Sequence, residues 1–110
     1  MEFIDKLDGA VIVTDADGTL IYMNEKALRQ YEKEGGKELI GRKLAGCHSE
    51  RSNQIIQEMI RTGKNNVYTI EKKGKKKLIF QSPWMVDGEF RGLIELSLEI
   101  PFDMPHYVRG

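Results

Sequence analysis

The tightest constraint on this chain comes from residues 91–100. Side chains there alternate, with Ile94, Leu96, Leu98 and Ile100 on one side and Glu95, Ser97 and Glu99 on the other. A period of two belongs to a strand with one apolar and one polar face, the pattern of an antiparallel sheet packed on one side. Pro101 and Pro105 then stop regular structure.

Such a strand needs partners, and the chain offers four. Ala10-Val11-Ile12-Val13-Thr14 is β-branched and lies between Gly9 and Asp15. Asp15-Ala16-Asp17-Gly18 has turn chemistry, and Thr19-Leu20-Ile21-Tyr22-Met23 is the return strand. Residues 66–71 and 77–81 flank the lysine-rich tip Glu71-Lys72-Lys73-Gly74-Lys75-Lys76-Lys77, and Asp87-Gly88 marks the turn into the last strand. The tip has no interleaved aromatics and is expected to be a solvated hairpin end.

Helical signals fall between the strand pairs. Asn24 is placed to cap a helix over residues 25–32, with Ala27, Leu28 and Tyr31 on its inner face. Gly35-Gly36 breaks it, and residues 37–40 make one further turn before Gly41. Residues 49–62 form the clearest helix, with Ile55, Ile56, Met59 and Ile60 in one stripe, Ser49 as N-cap and Gly63 as terminator. Residues 1–8 read as a short amphipathic helical cap with Phe3, Ile4 and Leu7 on one face. The order predicts an α+β fold: a five-stranded antiparallel sheet with short helices and one longer helix on one face. No internal repeat or linker interrupts it.

Composition narrows the function classes. With 110 residues the chain is expected to be one domain. Seventeen basic and seventeen acidic side chains cancel, so nothing pulls it globally towards nucleic acid or a membrane. The lone Cys47 excludes an internal disulfide. The charged N-terminus has no signal-peptide core and no apolar run reaches transmembrane length, so a cytoplasmic location is expected.

With these elements in order, the chain resembles the PAS domains. Gly18-Thr19-Leu20-Ile21-Tyr22-Met23-Asn24-Glu25-Lys26-Ala27 is similar to their opening signature. Gly36-Lys37-Glu38-Leu39-Ile40-Gly41-Arg42 is similar to the landmark of short helices before the long one, and Asp87-Gly88 and Gly92 match the closing strands. Cys47-His48-Ser49-Glu50-Arg51-Ser52 is similar to a Cys-His…Ser stretch in a subgroup of bacterial and archaeal PAS domains. The likeness divides the chain into a cap (1–8), a PAS domain (9–100) and a tail (101–110). It implies a sensory or regulatory module, not an enzyme, with a pocket between the inner sheet face and the long helix. It also implies a homodimer through the N-terminal helix and the outer sheet face, for which Glu95, Ser97 and Glu99 are the outer candidates, and a downstream signalling protein. The alternative is a PAS-fold interaction module without a ligand.

The residues expected to contact a ligand are His48, Ser52, Ile56, Tyr68, Gln81 and Trp84. Cys47 and His48 could ligate haem iron or a soft metal ion, or simply serve structure beside a helix start. Flavin photochemistry is not expected, because Leu44-Ala45-Gly46-Cys47-His48 lacks the Asn-Cys-Arg-Phe motif of the light-sensing relatives. Catalysis is not expected either: a Cys–His nucleophile pair needs facing side chains and usually a third orienting group, and the chain lacks a phosphate-binding loop and a metal-ligand helix motif. Ser52 could meet His48 on one helix face or cap the helix. Gln81 shares a face with Ile79, while Leu78 and Phe80 share the other. Which face is core is left open; if Gln81 points inward, an unpaired amide would cost about 1–3 kcal/mol. Met23, Met59 and Met85 suit either a cavity or plain filling. Phe102, Met104, Tyr107 and Val108 make the tail too apolar for an idle linker, so it is expected to pack on its own domain or across a dimer.

Overall fold

The computed structural model describes residues 2–43 and 50–110, apart from the Ser52 side chain. A turn of helix, α1 (Glu2–Asp5), precedes β1 (Ala10–Asp15) and β2 (Leu20–Met23). Helix α2 (Glu25–Gln30) and two 3-10 turns (Glu32–Glu34 and Gly36–Leu39) follow. Then come α3 (Glu50–Thr62), β3 (Asn66–Lys72), β4 (Lys75–Val86) and β5 (Glu89–Ile100). The strands form one antiparallel sheet in the order β2-β1-β5-β4-β3, so the last strand enters the middle beside the first.

Turn chemistry sets the two C-terminal hairpins. Lys73-Gly74 and Asp87-Gly88 all have positive φ, the two-residue geometry whose twist matches antiparallel strands. A regular hairpin would continue the Val86–Glu89 and Met85–Phe90 pairing and bring Gln81 opposite Ile94. A bulge between Trp84 and Met85 instead pairs Trp84 with Gly92 and Gln81 with Glu95. One residue of slip changes which side of β5 shares a face with which side of β4.

That slip decides the faces of the sheet. Ala10, Ile12, Ile79, Gln81, Pro83, Glu95 and Ser97 stand on the helix-facing side with Tyr68 and Asn66, because the register pairs them in rows. Ala10 is sealed there against Leu20, Met23 and Ala27, with Leu28, Tyr31 and Leu39 around them. Glu95 and Ser97 are thus on the inner face, not the outer one expected from their polarity. The alternation reveals two faces but not which of them the helices cover. The apolar row Ile94, Leu96, Leu98 and Ile100 lies outside with Leu78 and Phe80, all of it half-buried.

Asn24 ties the first half together. Its side chain is 1 % exposed. Its Oδ1 accepts from the backbone N–H groups of Val11 and Ala27, each at 3.0 Å. Its Nδ2 donates to the carbonyls of Gly9 (2.8 Å) and Ile4 (3.0 Å). One amide therefore caps α2 and pins both β1 and the N-terminal segment. Tyr22 donates from its hydroxyl to Asp5, adding a second tie. Gly92 makes the sheet's closest approach: a Cβ there would lie 2.0 Å from the Thr14 carbonyl oxygen.

The tail does not fold back on its own domain. Residues 101–110 are irregular and exposed throughout, Tyr107 to 72 % and Val108 to 90 %. No helix among the described residues is long and apolar enough to cross a membrane.

Candidate functional site

A line of polar side chains crosses the inner face from the β3 edge towards the centre. Asn66, Gln81 and Glu95 stand side by side on β3, β4 and β5. The Asn66 amide donates to Gln81 Oε1 at 2.9 Å, and Gln81 Nε2 donates to Glu95 Oε1 at 2.7 Å. All three are partly buried, where a hydrogen-bonded chain is favoured and an unpaired amide is costly. Gln81 therefore points inward and has protein partners on both sides.

Two phenols on this side feel the charge of Glu95. Tyr31, at the end of α2, packs against the core cluster, and Tyr68 stands on β3 opposite Ile79. Burial first, and then the Glu95 charge, hold the Tyr31 phenol above its ordinary value. The same two causes raise Tyr68. Neither hydroxyl is hydrogen-bonded to another described residue. The assembly thus offers a carboxylate, two amides and two phenols on one side of the sheet.

Helix α3 covers this side loosely. Of its stripe, Met59 is buried at 3 % exposure, but Ile55, Ile56 and Ile60 are only half-buried. Beside Met59 a shallow groove of about 230 Å³ runs between α3 and the start of β3, lined by Ile55, Met59, Thr62 and Asn66 together with the charged Glu58 and Lys64. Asn66 is thus both a groove wall and the outer end of the hydrogen-bonded chain. The volume is roughly that of eight liquid waters, the scale of a small metabolite.

The residues predicted from sequence are distributed unevenly. Tyr68 and Gln81 share the inner face, and Ile56 lies half-buried on α3. Trp84 stands on the opposite face, in the row of Leu78 and Phe80, so the sheet separates it from Gln81. Ser52 lies in α3, but its side chain is outside the described residues, as are Cys47, His48 and Ser49. No group of three or more His, Cys, Asp or Glu among the described residues is arranged to hold a metal ion.

Sequence reasoning missed Glu95, Asn66 and Tyr31 as members of this site. Tyr31 read as core, and Glu95 read as an outward side chain. Counting residues from Asp87-Gly88 would not have found the Gln81–Glu95 pair, because the bulge intervenes.

Comparison with known proteins agrees with the architecture. A family model described as the PAS fold matches residues 4–100. No curated protein matches the chain. Among solved structures, a sensory box sensor histidine kinase from Vibrio cholerae is similar over 92 % of this chain and 89 % of its own, at 14 % identity and a TM-score of 0.62. The Vibrio cholerae VqmA–ligand–DNA complex is similar over 90 % of this chain and 49 % of its own, at 20 % identity and a TM-score of 0.67. The Vibrio cholerae Aer2 receptor, described as a dual PAS-heme oxygen sensor, is similar over 84 % of this chain and 95 % of its own, at 16 % identity and a TM-score of 0.59. At such identities the structures speak for the fold, and the family match speaks for descent: the chain belongs to the PAS-fold family.

Proposed function

We propose that this chain is a sensory or regulatory PAS module, not an enzyme, that binds a small ligand on the inner face of its sheet. The observation that carries the reading is the Asn66–Gln81–Glu95 chain, which reaches from the groove beside α3 to the centre of the sheet. Convergent polar groups on an otherwise apolar wall are what a small-molecule site requires. Ligand contacts fall to Tyr68, Gln81 and Ile56 from the sequence reading, with Glu95, Asn66 and Tyr31 added. His48 and Ser52 remain proposed contacts at the approach to α3. The mechanism is a population shift: a ligand that prefers one seating of the loosely held α3 biases that seating. Haem stays within this reading through His48, and the similar Aer2 receptor is described as a haem sensor.

The test is a spectrum of the freshly purified protein, then mass spectrometry of native and denatured material. A haem band or a small molecule released on denaturation supports the sensor. A colourless protein that releases nothing rejects a tightly held ligand.

A second reading is favoured by the outer face. Leu78, Phe80, Ile94, Leu96 and Leu98 form a half-buried apolar row there, with Val67 and Trp84 more exposed, and the tail adds exposed Phe102, Met104, Tyr107 and Val108. Contiguous apolar surface of this kind marks a contact with another protein. Homodimerisation through this face, or docking of a downstream signalling protein, fits a PAS module with or without a ligand. Sedimentation velocity decides it: Phe80→Glu should turn a dimer into a monomer, and a wild-type monomer at high concentration would sink the homodimer.

A further inference from the structure

The inner-face site has a definite charge character, which selects among ligands. Glu95 is a carboxylate whose hydrogen-bond donor among the described residues is a neutral amide, that of Gln81. The ion pairs of the described residues lie elsewhere, Lys6–Glu25, Lys26–Asp8, Arg61–Glu58, Lys75–Glu99 and Arg91–Glu89, and none neutralises Glu95. A partly buried carboxylate without a cation has lost hydration and gained no Coulombic partner. The groups nearest to it in character are the rings and hydroxyls of Tyr31 and Tyr68, both within range of its field. Aromatic faces carry negative potential and attract cations, and uncommitted hydroxyls accept hydrogen bonds. Gln81 and Asn66 turn a donor and an acceptor along the same line.

We propose that the site takes a small organic amine in its protonated form, with the ammonium group against Glu95 on the inner face that also carries Tyr68. The inference rests on the ligand-binding reading and narrows its class. An ammonium ion supplies N–H donors to the free lone pairs of the carboxylate and to the tyrosine oxygens, and its charge cancels that of Glu95. A carboxylate or phosphate placed against Glu95 would instead meet like charge; Lys64, the cation lining the groove, stands at the α3–β3 end and not beside Glu95 in the register. The groove beside Asn66 accommodates the remainder of a molecule of metabolite size.

The experiment is an NMR titration of the whole chain with matched compounds. Isobutylamine and tyramine serve as amines, isobutanol and tyrosol as their uncharged counterparts, and isobutyrate as an acid. The amines should move the ring signals of Tyr31 and Tyr68 and the side-chain amide signals of Gln81 and Asn66, while the alcohols and the acid leave them unchanged. Glu95→Gln keeps an acceptor for the Gln81 amide while removing the charge, and should weaken amine binding about tenfold. Glu99→Gln, on the same strand beside Lys75, should change nothing. If the alcohols or the acid bind the same place as tightly, the amine class is overturned and the sensor reading stands. If no amine moves these signals at millimolar concentration, the amine class is again overturned. The released-ligand measurement then judges the sensor reading separately. Amine binding that survives Glu95→Gln undiminished would also overturn the proposal.

Discussion

The two ends of the sheet are built to different standards. Around β1, β2 and α2 the chain is sealed, with Ala10, Val11, Leu20, Met23 and Ala27 buried and the amide of Asn24 satisfied by four hydrogen bonds. Around α3, β3 and β4 the buried apolar residues among those described are Met59, Ile79 and Pro83, and the centre of the face is polar. Both ends use a side-chain amide as a connector, yet Asn24 joins backbone to backbone whereas Gln81 joins side chain to side chain. A backbone tie holds the fold, while a side-chain chain can exchange partners when a ligand arrives. Rigidity at one end and adaptability at the other suit a module that must stay folded while it responds.

Breaking the rigid end should cost most. Gly92→Ala would set a methyl against the Thr14 carbonyl, which backbone alone can relieve. A loss of about 3 kcal/mol or more in chemical denaturation is expected.

Next is the contrast between the two asparagines. Asn24→Ala removes a helix cap and strands buried N–H and C=O groups, for about 3 kcal/mol. Asn66→Ala, at the part-exposed edge, should cost about 1 kcal/mol. Equal losses would end the distinction between the two ends.

Hydrogen exchange sharpens it further. Amides of α3 should exchange well before those of β1 and β5, because α3 is anchored mainly through Met59. Equal protection would mean that α3 is not the responsive element.

The smallest effect is a titration. Burial, then the hydrogen bond and charge of Asp5, push the Tyr22 phenol up to about 12. Its ordinary value is about 10, so between these pH values the unfolded chain ionises Tyr22 and the folded chain does not. The contribution of Tyr22 to stability is complete below about pH 10 and disappears as pH rises through about 12. Ultraviolet titration should also show Glu95→Gln bringing Tyr31 and Tyr68 closer to their ordinary value while Tyr22 stays put. A shift of Tyr22 instead would mean that the variant disturbs the wrong end.

Much was legible locally. The turns Lys73-Gly74 and Asp87-Gly88, the cap at Asn24 and the stripe of α3 depend on neighbours within a few residues, where steric and hydrogen-bonding preferences of single residues dominate. The helix after Asn24 ended earlier than its pattern suggested, with the chain passing into 3-10 turns near Gly35. The candidate site was legible only in Gln81 and Tyr68. Of the two placements expected for the tail, on its own domain or across a dimer, the first is not what the chain adopts, because apolar composition states a need for a partner without naming it.

By itself, then, the sequence determined the strand count, the antiparallel pairing and the position of each turn, since those follow from short-range geometry. Tertiary structure alone decided which side of β5 the helices cover. The decision lies in a single bulge between Trp84 and Met85, which slips the register by one residue and brings Glu95 rather than Ile94 beside Gln81. Alternation has the same period on either side of that slip, so no count along one strand can detect it; only the pairing of β4 with β5 reveals it.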